Sequence, residues 1–172
     1  MRVMRWGMVA LLAVSVAGLS GCSSRTRTTT FSTSDHDCMA RAMYFESNRS
    51  SRDGMVAVGS VVMNRVASDD FPDTVCGVVG QRGQFAPGVM SKDMSERRSR
   101  SRVSEAAAAV LAGERHPHVA NARFFHALYY RAGYNNMHYV ASAGGNAFYE
   151  KRDPARVTQP TPLPAVEGLT RG

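Results

Sequence analysis

The stretch that decides the fold is CMARAMYFESNRSSRDGMVAVGSVVMNRV, which runs from Cys38 to Val66. Its first part places apolar residues and Glu46 at helical spacing, and this pattern predicts a helix over 37–47. A polar break follows, and Ser51 or Asp53 can begin a second helix that continues to Val66. The second segment is rich in valine and would also suit a buried strand, but its length favours a helix.

The rest of the core predicts shorter elements and one further long helix. The pattern indicates a turn over 68–73, a helical turn over 74–79, a loop over 81–90, a helix over 103–112, and strands within 122–130 and 147–151. The last two segments are rich in aromatic residues and are expected to pair. The predicted fold class is therefore mainly α (α+β), a single domain with a small antiparallel β element.

The chain begins with the features of an export signal. Residues 1–21 combine two arginines, a short apolar run and small residues at its end. Leu-Ser-Gly-Cys, ending at Cys22, resembles the bacterial lipobox, in which the cysteine is lipidated. We therefore expect export to the periplasmic face of the envelope and anchoring by lipid. Ser23 favours outer-membrane sorting. The alternative is an ordinary signal peptide with a chance cysteine.

The segments that flank the core differ from it in composition. Residues 22–36 are rich in Ser, Thr and Arg, which predicts a flexible tether. Residues 153–172 contain four prolines and little to bury, which predicts a disordered tail. The predicted catalytic domain is then 37–152.

Two cysteines remain once Cys22 is assigned to lipid. An exported protein meets an oxidising compartment, so a disulfide between Cys38 and Cys76 is predicted. Two buried free thiols, or a catalytic cysteine paired with a histidine, are the alternatives. No motif of a thiol protease surrounds either cysteine.

The charge of the chain is basic. The net charge of +7 falls to +5 when Arg2 and Arg5 leave with the signal peptide. Such a balance suits an anionic wall polymer or a lipid headgroup surface. Nucleic acid is the common partner of basic proteins, but the export signal argues against it. Plain solubility would explain the charge equally well.

Glu46 is the strongest candidate for chemistry. It follows an apolar aromatic pair, whereas most other acids of the core lie in polar turns or beside arginines. Desolvation would raise its pKa and keep it protonated as a general acid. One carboxylate can cleave a glycan when the substrate supplies its own nucleophile, as the 6-hydroxyl of MurNAc does in forming an anhydro ring. The alternative is a structural glutamate paired with an arginine such as Arg65.

Five blocks of the core carry a family resemblance. They are the opening stretch, FPDTVCGVVGQ, GQFAPG, FFHALYY and GGNAFY, in this order. The chain resembles the SleB/CwlJ-type cell wall hydrolases over about 38–149. The resemblance implies a lysozyme-like, α-rich fold, peptidoglycan cleavage, and Glu46 as the essential glutamate. The family motif usually continues Glu-Ala-Arg-Gly-Glu; this chain has Ser50 at the second acid, which favours a mechanism with one glutamate. Asn146 stands where the family often has histidine.

Weaker candidates for substrate binding come from the same blocks. They are Asn64, Arg65, Gln84, Phe85, His126 and Tyr129. Asn64 and Arg65 end the second helix, where an arginine also suits the helix dipole. Phe85 would equally fill the core, and a histidine in an apolar strand is more often structural. The tyrosine offers a face on which a sugar can stack.

Two other functions compete with glycan cleavage. His116 and His118, completed by Glu46 or His126, would make a zinc site and thus an N-acetylmuramoyl-L-alanine amidase. Their spacing matches no strong zinc motif, so no metal or other cofactor is expected. The second alternative is a non-catalytic lipoprotein that binds peptidoglycan. The expected partner is the glycan strand, and the expected state is a monomer.

Overall fold

The computed structural model describes residues 32–49 and 51–171, and within them a helical layer precedes a small sheet. The elements in chain order are α1 (Thr33–Glu46), α2 (Arg52–Val66), α3 (Val75–Val79), α4 (Arg97–Leu111), β1 (Phe124–Ala127), β2 (Met137–Ala143), β3 (Asn146–Lys151) and a 3₁₀ turn (Pro154–Arg156). The prediction of a mainly α domain with a minor antiparallel β element is confirmed.

Helix α2 forms the centre of the core. Most of its side chains are buried, and it packs against α1, α3 and α4. A helix surrounded on all sides has no polar face, which explains why its sequence also resembles a buried strand. The predicted start of α2 is confirmed, because the Ser51 side chain caps the helix by accepting the N–H of Gly54.

Two helices begin earlier than the sequence predicts. Helix α1 starts at Thr33, because Ser32 and Asp35 form a reciprocal capping box. Asp37, the residue at which the predicted helix begins, lies inside the helix and pairs with Arg41 at 2.7 Å. Helix α4 starts at Arg97 instead of residue 103, since the arginines and serines of residues 97–102, which are exposed except for Ser99, continue the same helix.

The sheet has the strand order β1-β3-β2, and both pairings are antiparallel. The predicted pairing of the two aromatic segments is confirmed, with Phe125 opposite Phe148. Strand β2 was not predicted. Its register shifts between Tyr139 and Ala141, and such a bulge breaks the alternation by which a strand is recognised. Phe125 and Phe148 pack on the helical core, and Tyr139 and Tyr149 belong to a separate small cluster.

The predicted disulfide is confirmed. Cys38 of α1 and Cys76 of α3 are bonded, and their Cα atoms lie 5.2 Å apart. The crosslink closes a loop with a sequence separation of 38 residues. It therefore ties the N-terminal half of the first helix to the segment that follows α2.

The C-terminal segment differs from the predicted disordered tail. The N–H of Tyr139 donates to Gln159 at 2.9 Å, and that of Val166 donates to Ser142 at 3.1 Å. The segment is held by backbone hydrogen bonds and not by apolar burial, which is why composition did not reveal it.

The N-terminal predictions fall largely outside the described residues. The signal peptide over 1–21 and Cys22 lie outside them, and the predicted tether overlaps α1 from Thr33 onward. Among residues 32–49 and 51–171, no helix has both the length and the hydrophobicity of a membrane-spanning segment.

Candidate active site

Glu46 is the last residue of α1, and its side chain is half-buried. Burial raises its pKa, although the backbone N–H of Ala86 and the charge of Arg65 act in the opposite direction. The carbonyl ends of a helix also disfavour a negative charge. The site therefore favours a protonated carboxylic acid, which is the state that a general acid requires.

The loop after α3 forms one wall beside Glu46. The N–H of Ala86 donates to Oε1 of Glu46. Ala86 and Phe85 also line a pocket of about 400 Å³. Gln84 lies exposed in the same loop. The predicted residues Gln84 and Phe85 thus directly precede Ala86, whose backbone N–H binds Glu46.

Arg65 is a buried cation near Glu46. Its Nε donates to the carbonyl of Arg123 at 2.7 Å, and its guanidinium lies over the rings of Phe71 and Phe85, at 5.1 and 5.3 Å from their centroids. Burial lowers its pKa to about 10, while Tyr149 and Glu46 favour the charged form. Its Nη1 is buried and makes no hydrogen bond to any residue that the structure describes.

The interaction between Arg65 and Glu46 is not a salt bridge. The ion pairs within 4.0 Å among the described residues do not include this pair. Among the described residues, Arg65 is also the only charged group that shifts the pKa of Glu46. Within the described part of the chain, no second carboxylate therefore acts on Glu46.

The backbone of Glu46 is fixed by the turn between β2 and β3. The side chain of Asn146 donates to the carbonyl oxygen of Glu46 at 2.6 Å. The N–H of Asn48 donates to the carbonyl of Gly144 at 2.9 Å. The sequence left the role of Asn146 open; its position in the GGNAFY block was the available signal. The N–H of Ala86 carried no signal, because a backbone donor has no side-chain signature.

Asn64 contacts a loop of the protein itself. Its amide nitrogen donates to the carbonyls of Ala120 and Ala122, at 2.8 and 2.9 Å. Ala120 has a φ of 47°, a conformation that costs a non-glycine residue energy. These bonds hold that strained turn. Asn64 also lines a second pocket, of about 330 Å³.

His126 belongs to an aromatic cluster on the sheet. Its Nε2 lies 2.7 Å from the hydroxyl of Tyr139 and its Nδ1 lies 2.9 Å from the carbonyl of Ala127. Tyr149 lies in this cluster, 5.8 Å from His126 between ring centroids, and also acts on the charge of Arg65. Tyr129 is 88% exposed, just beyond β1.

The histidines considered for zinc lie in a different environment. His116 is buried, with its Nε2 at 3.9 Å from Asp53, and its Nδ1 accepts the N–H of His118 at 3.3 Å. Burial lowers the pKa of His116. Among the described residues, no group of three or more His, Cys, Asp or Glu side chains is arranged to hold a metal ion.

Comparisons with known proteins agree with this architecture. A family model described as Cell Wall Hydrolase matches residues 49–149, which begins three positions after Glu46. The catalytic domain of the germination-specific lytic transglycosylase SleB from Bacillus anthracis is 26% identical, with a TM-score of 0.58 over 70% of this chain and 97% of that domain. The catalytic domain of Bacillus cereus SleB is also 26% identical, with a TM-score of 0.56 over 70% of this chain and 93% of that domain.

Two curated relatives match a shorter part. Spore cortex-lytic enzymes of Bacillus cereus and Oceanobacillus iheyensis are 47% and 45% identical over 55 residues. The match covers 32% of this chain in each case, and 21% and 20% of the relatives. The chain thus aligns with about a fifth of the length of these relatives.

Proposed function

Since the chain belongs to the cell wall hydrolase family, we propose that it is a lytic transglycosylase that cleaves the MurNAc–GlcNAc β-1,4 bond of peptidoglycan. The observation that carries this proposal is the half-buried, raised-pKa carboxyl group of Glu46, on which no second acid acts within the described residues. The 26% identity to a lytic transglycosylase domain supports the same reaction.

The reaction needs one carboxyl group in two protonation states. Glu46 gives its proton to the glycosidic oxygen, the bond from that oxygen to the anomeric carbon of MurNAc breaks, and the GlcNAc hydroxyl leaves. The carboxylate then takes the proton from the 6-hydroxyl of MurNAc, whose oxygen bonds to the anomeric carbon as the anhydro ring closes. Glu46 ends protonated again, and no water is consumed.

The neighbours of Glu46 suit this exchange. Ala86 donates to Oε1, which leaves Oε2 to carry the acidic proton. When that proton has left, the nearby charge of Arg65 stabilises the carboxylate without pairing with it directly. The glutamate can therefore cycle between its two states, because neither state is locked by a short ion pair.

The other predicted residues are proposed as contacts for the glycan strand. Exposed Gln84 and Tyr129 offer a hydrogen-bonding group and a stacking face. Phe85 and Arg65, whose guanidinium lies over the Phe85 ring, support the loop that carries Gln84. His126, through its hydrogen bond with Tyr139, supports the strand end that precedes Tyr129. Asn64 is proposed to act indirectly, through the loop that it holds.

The cellular setting is also a proposal. We propose that the leader over 1–21 exports the protein, that Cys22 is lipidated, and that the mature, monomeric enzyme faces the periplasm from the outer membrane. Labelling with a fatty-acid probe tests this setting: the wild-type chain should incorporate the label, and Cys22→Ser should not. Incorporation of label by Cys22→Ser would contradict lipidation at this residue.

Digestion of purified sacculi tests the reaction. We expect the wild-type chain to release anhydro-muropeptides, detected by mass spectrometry, and Glu46→Gln to release none above background. Glu105→Gln, which changes an exposed acid on α4, is the matched control and should behave as the wild type. Reducing ends would indicate hydrolysis, and free stem peptides would indicate the amidase alternative. Binding of sacculi without any product would leave the non-catalytic alternative.

A further inference from the structure

The C-terminal segment crosses the molecule beside the turn that follows Glu46. Three successive backbone N–H groups, of residues 168–170, donate to the buried carboxylate of Asp53 in the first turn of α2. Val166 donates to a carbonyl of β2. We call residues 166–170 the strap; it is fixed at once to the central helix and to the sheet.

Glu167 of the strap completes a ring of hydrogen bonds. Its carboxylate accepts the N–H of Gly144 at 2.8 Å and also the hydroxyl of Ser51. The N–H of Ser51 donates to the carbonyl of Asn48 at 2.9 Å, and the N–H of Asn48 donates back to the carbonyl of Gly144 at 2.9 Å. The ring therefore joins the end of α1, the cap of α2 and the β2–β3 turn.

The ring borders the backbone of Glu46 on two sides. Asn48 lies two residues after Glu46, and Asn146, two residues after Gly144, donates to the carbonyl of Glu46. The β2–β3 turn also touches α2 directly, because a Cβ on Gly54 would lie 2.5 Å from the Cα of Gly144. A shift of this turn would therefore move the residue that carries the acid.

We infer that Glu167 is a positioning residue, and that the strap holds Glu46 in its productive place. This inference rests on the proposed function for its reaction but goes beyond it, since the strap lies outside the matched family segment over 49–149. Catalysis is sensitive to such positioning: a displacement of about 1 Å can lower a rate by about a hundredfold.

Two substitutions at one position test the inference on the full chain. Glu167→Ala removes both acceptors, and we expect kcat on sacculi to fall about ten- to a hundredfold with little change in KM. Glu167→Gln keeps an oxygen for the N–H of Gly144 and an amide that can donate to Ser51, so it should recover most of the activity. Gln159→Ala is the matched control, because within residues 32–49 and 51–171 that side chain bonds only to Thr161.

A readout beyond activity separates positioning from simple stability. Rates are compared at a temperature at which every variant is folded, and amide hydrogen exchange is measured at 46–48 and 144–146. Faster exchange there in Glu167→Ala, with a changed pH profile, is the expected result. The inference would be overturned if Glu167→Ala showed the same amide exchange and kcat as the wild type. It would also be overturned if Glu167→Gln lost as much activity as Glu167→Ala. If the wild type makes no anhydro products, the proposed function fails, and the exchange data still decide the role of Glu167.

Discussion

Two carboxyl groups, Glu46 and Asp53, lie on either side of the short turn between α1 and α2, and their surroundings give them opposite properties. Glu46 ends a helix and accepts one backbone N–H, and its pKa is raised. Asp53 lies in the first turn of a helix and accepts three, and its pKa is lowered even though burial alone would raise it. The number of backbone N–H donors, together with the position at the C-terminal or N-terminal end of a helix, sets the direction of each pKa shift. Glu46 is thereby suited to give a proton, and Asp53 to anchor the strap as a carboxylate.

Removal of the acid should have the largest effect. Glu46→Gln is expected to lower the release of anhydro-muropeptides by about a thousandfold, within the range for loss of a general acid. Its stability should stay the same or rise slightly at neutral pH. The raised pKa means that ionisation of Glu46 in the folded state costs stability, and glutamine avoids this cost. Initial rates and urea unfolding measure the two effects; a less stable variant would argue for a structural glutamate.

Removal of the Asp53 carboxylate, which anchors the strap, should lower the free energy of unfolding. In Asp53→Asn one carboxylate oxygen becomes an amide, so the N–H groups of the strap lose a charged acceptor. We expect a loss of about 2–3 kcal/mol in the free energy of unfolding, measured by urea denaturation. Asp70→Asn is the control: this exposed acid pairs with Arg123 at 2.7 Å, and its loss should cost at most about 1 kcal/mol. Equal losses for Asp53→Asn and Asp70→Asn would contradict the anchoring role of Asp53.

Replacement of the cation beside Glu46 should have a smaller effect on activity. Arg65→Met keeps apolar bulk among the surrounding rings but removes the charge that lowers the pKa of Glu46. We expect kcat to fall about tenfold, equivalent to roughly 1.4 kcal/mol, because the carboxylate formed during the reaction loses its support. The alkaline limb of the pH profile should move to higher pH. Arg65→Lys should retain more activity than Arg65→Met, and an unmoved limb in Arg65→Met would exclude electrostatic support.

A change of pH should affect activity, through Glu46, and stability, through Asp53 and His116, in opposite directions. Activity needs protonated Glu46, so kcat/KM should fall as the pH rises through the raised pKa of that group. His116, whose pKa is lowered by burial, and Asp53 both bind fewer protons in the folded state than in the unfolded state. In Glu46→Gln, which lacks the opposite contribution from the raised pKa of Glu46, stability should therefore fall with decreasing pH, first below about 6.5 through His116 and then below about 4 through Asp53. A pH series of the wild-type rate and a pH series of the urea midpoint of Glu46→Gln measure these two effects; a Glu46→Gln variant whose stability rises on acidification would contradict the second.

The contrast also shows how far the sequence predicts the site. Helical spacing and an apolar pair indicated Glu46 because a side-chain pattern carries that information. The β1–β3 pairing and the disulfide could be predicted for the same reason, because residue types indicate both. The donors that distinguish Glu46 from Asp53 belong to the backbone of Ala86 and of residues 168–170, and no residue type encodes them. The same limit hid the strap, because composition describes residues 153–172 only as a proline-rich segment.

Direct titration of the two carboxyl groups by ¹³C NMR tests the central claim most closely. Carboxyl chemical shifts of Glu46 and Asp53, assigned with Glu46→Gln and Asp53→Asn, would be followed over pH in the full chain. We predict that Glu46 titrates above the usual range for glutamate and that Asp53 titrates below the usual range for aspartate. A Glu46 that titrates at or below the ordinary glutamate value would contradict its role as the proton donor.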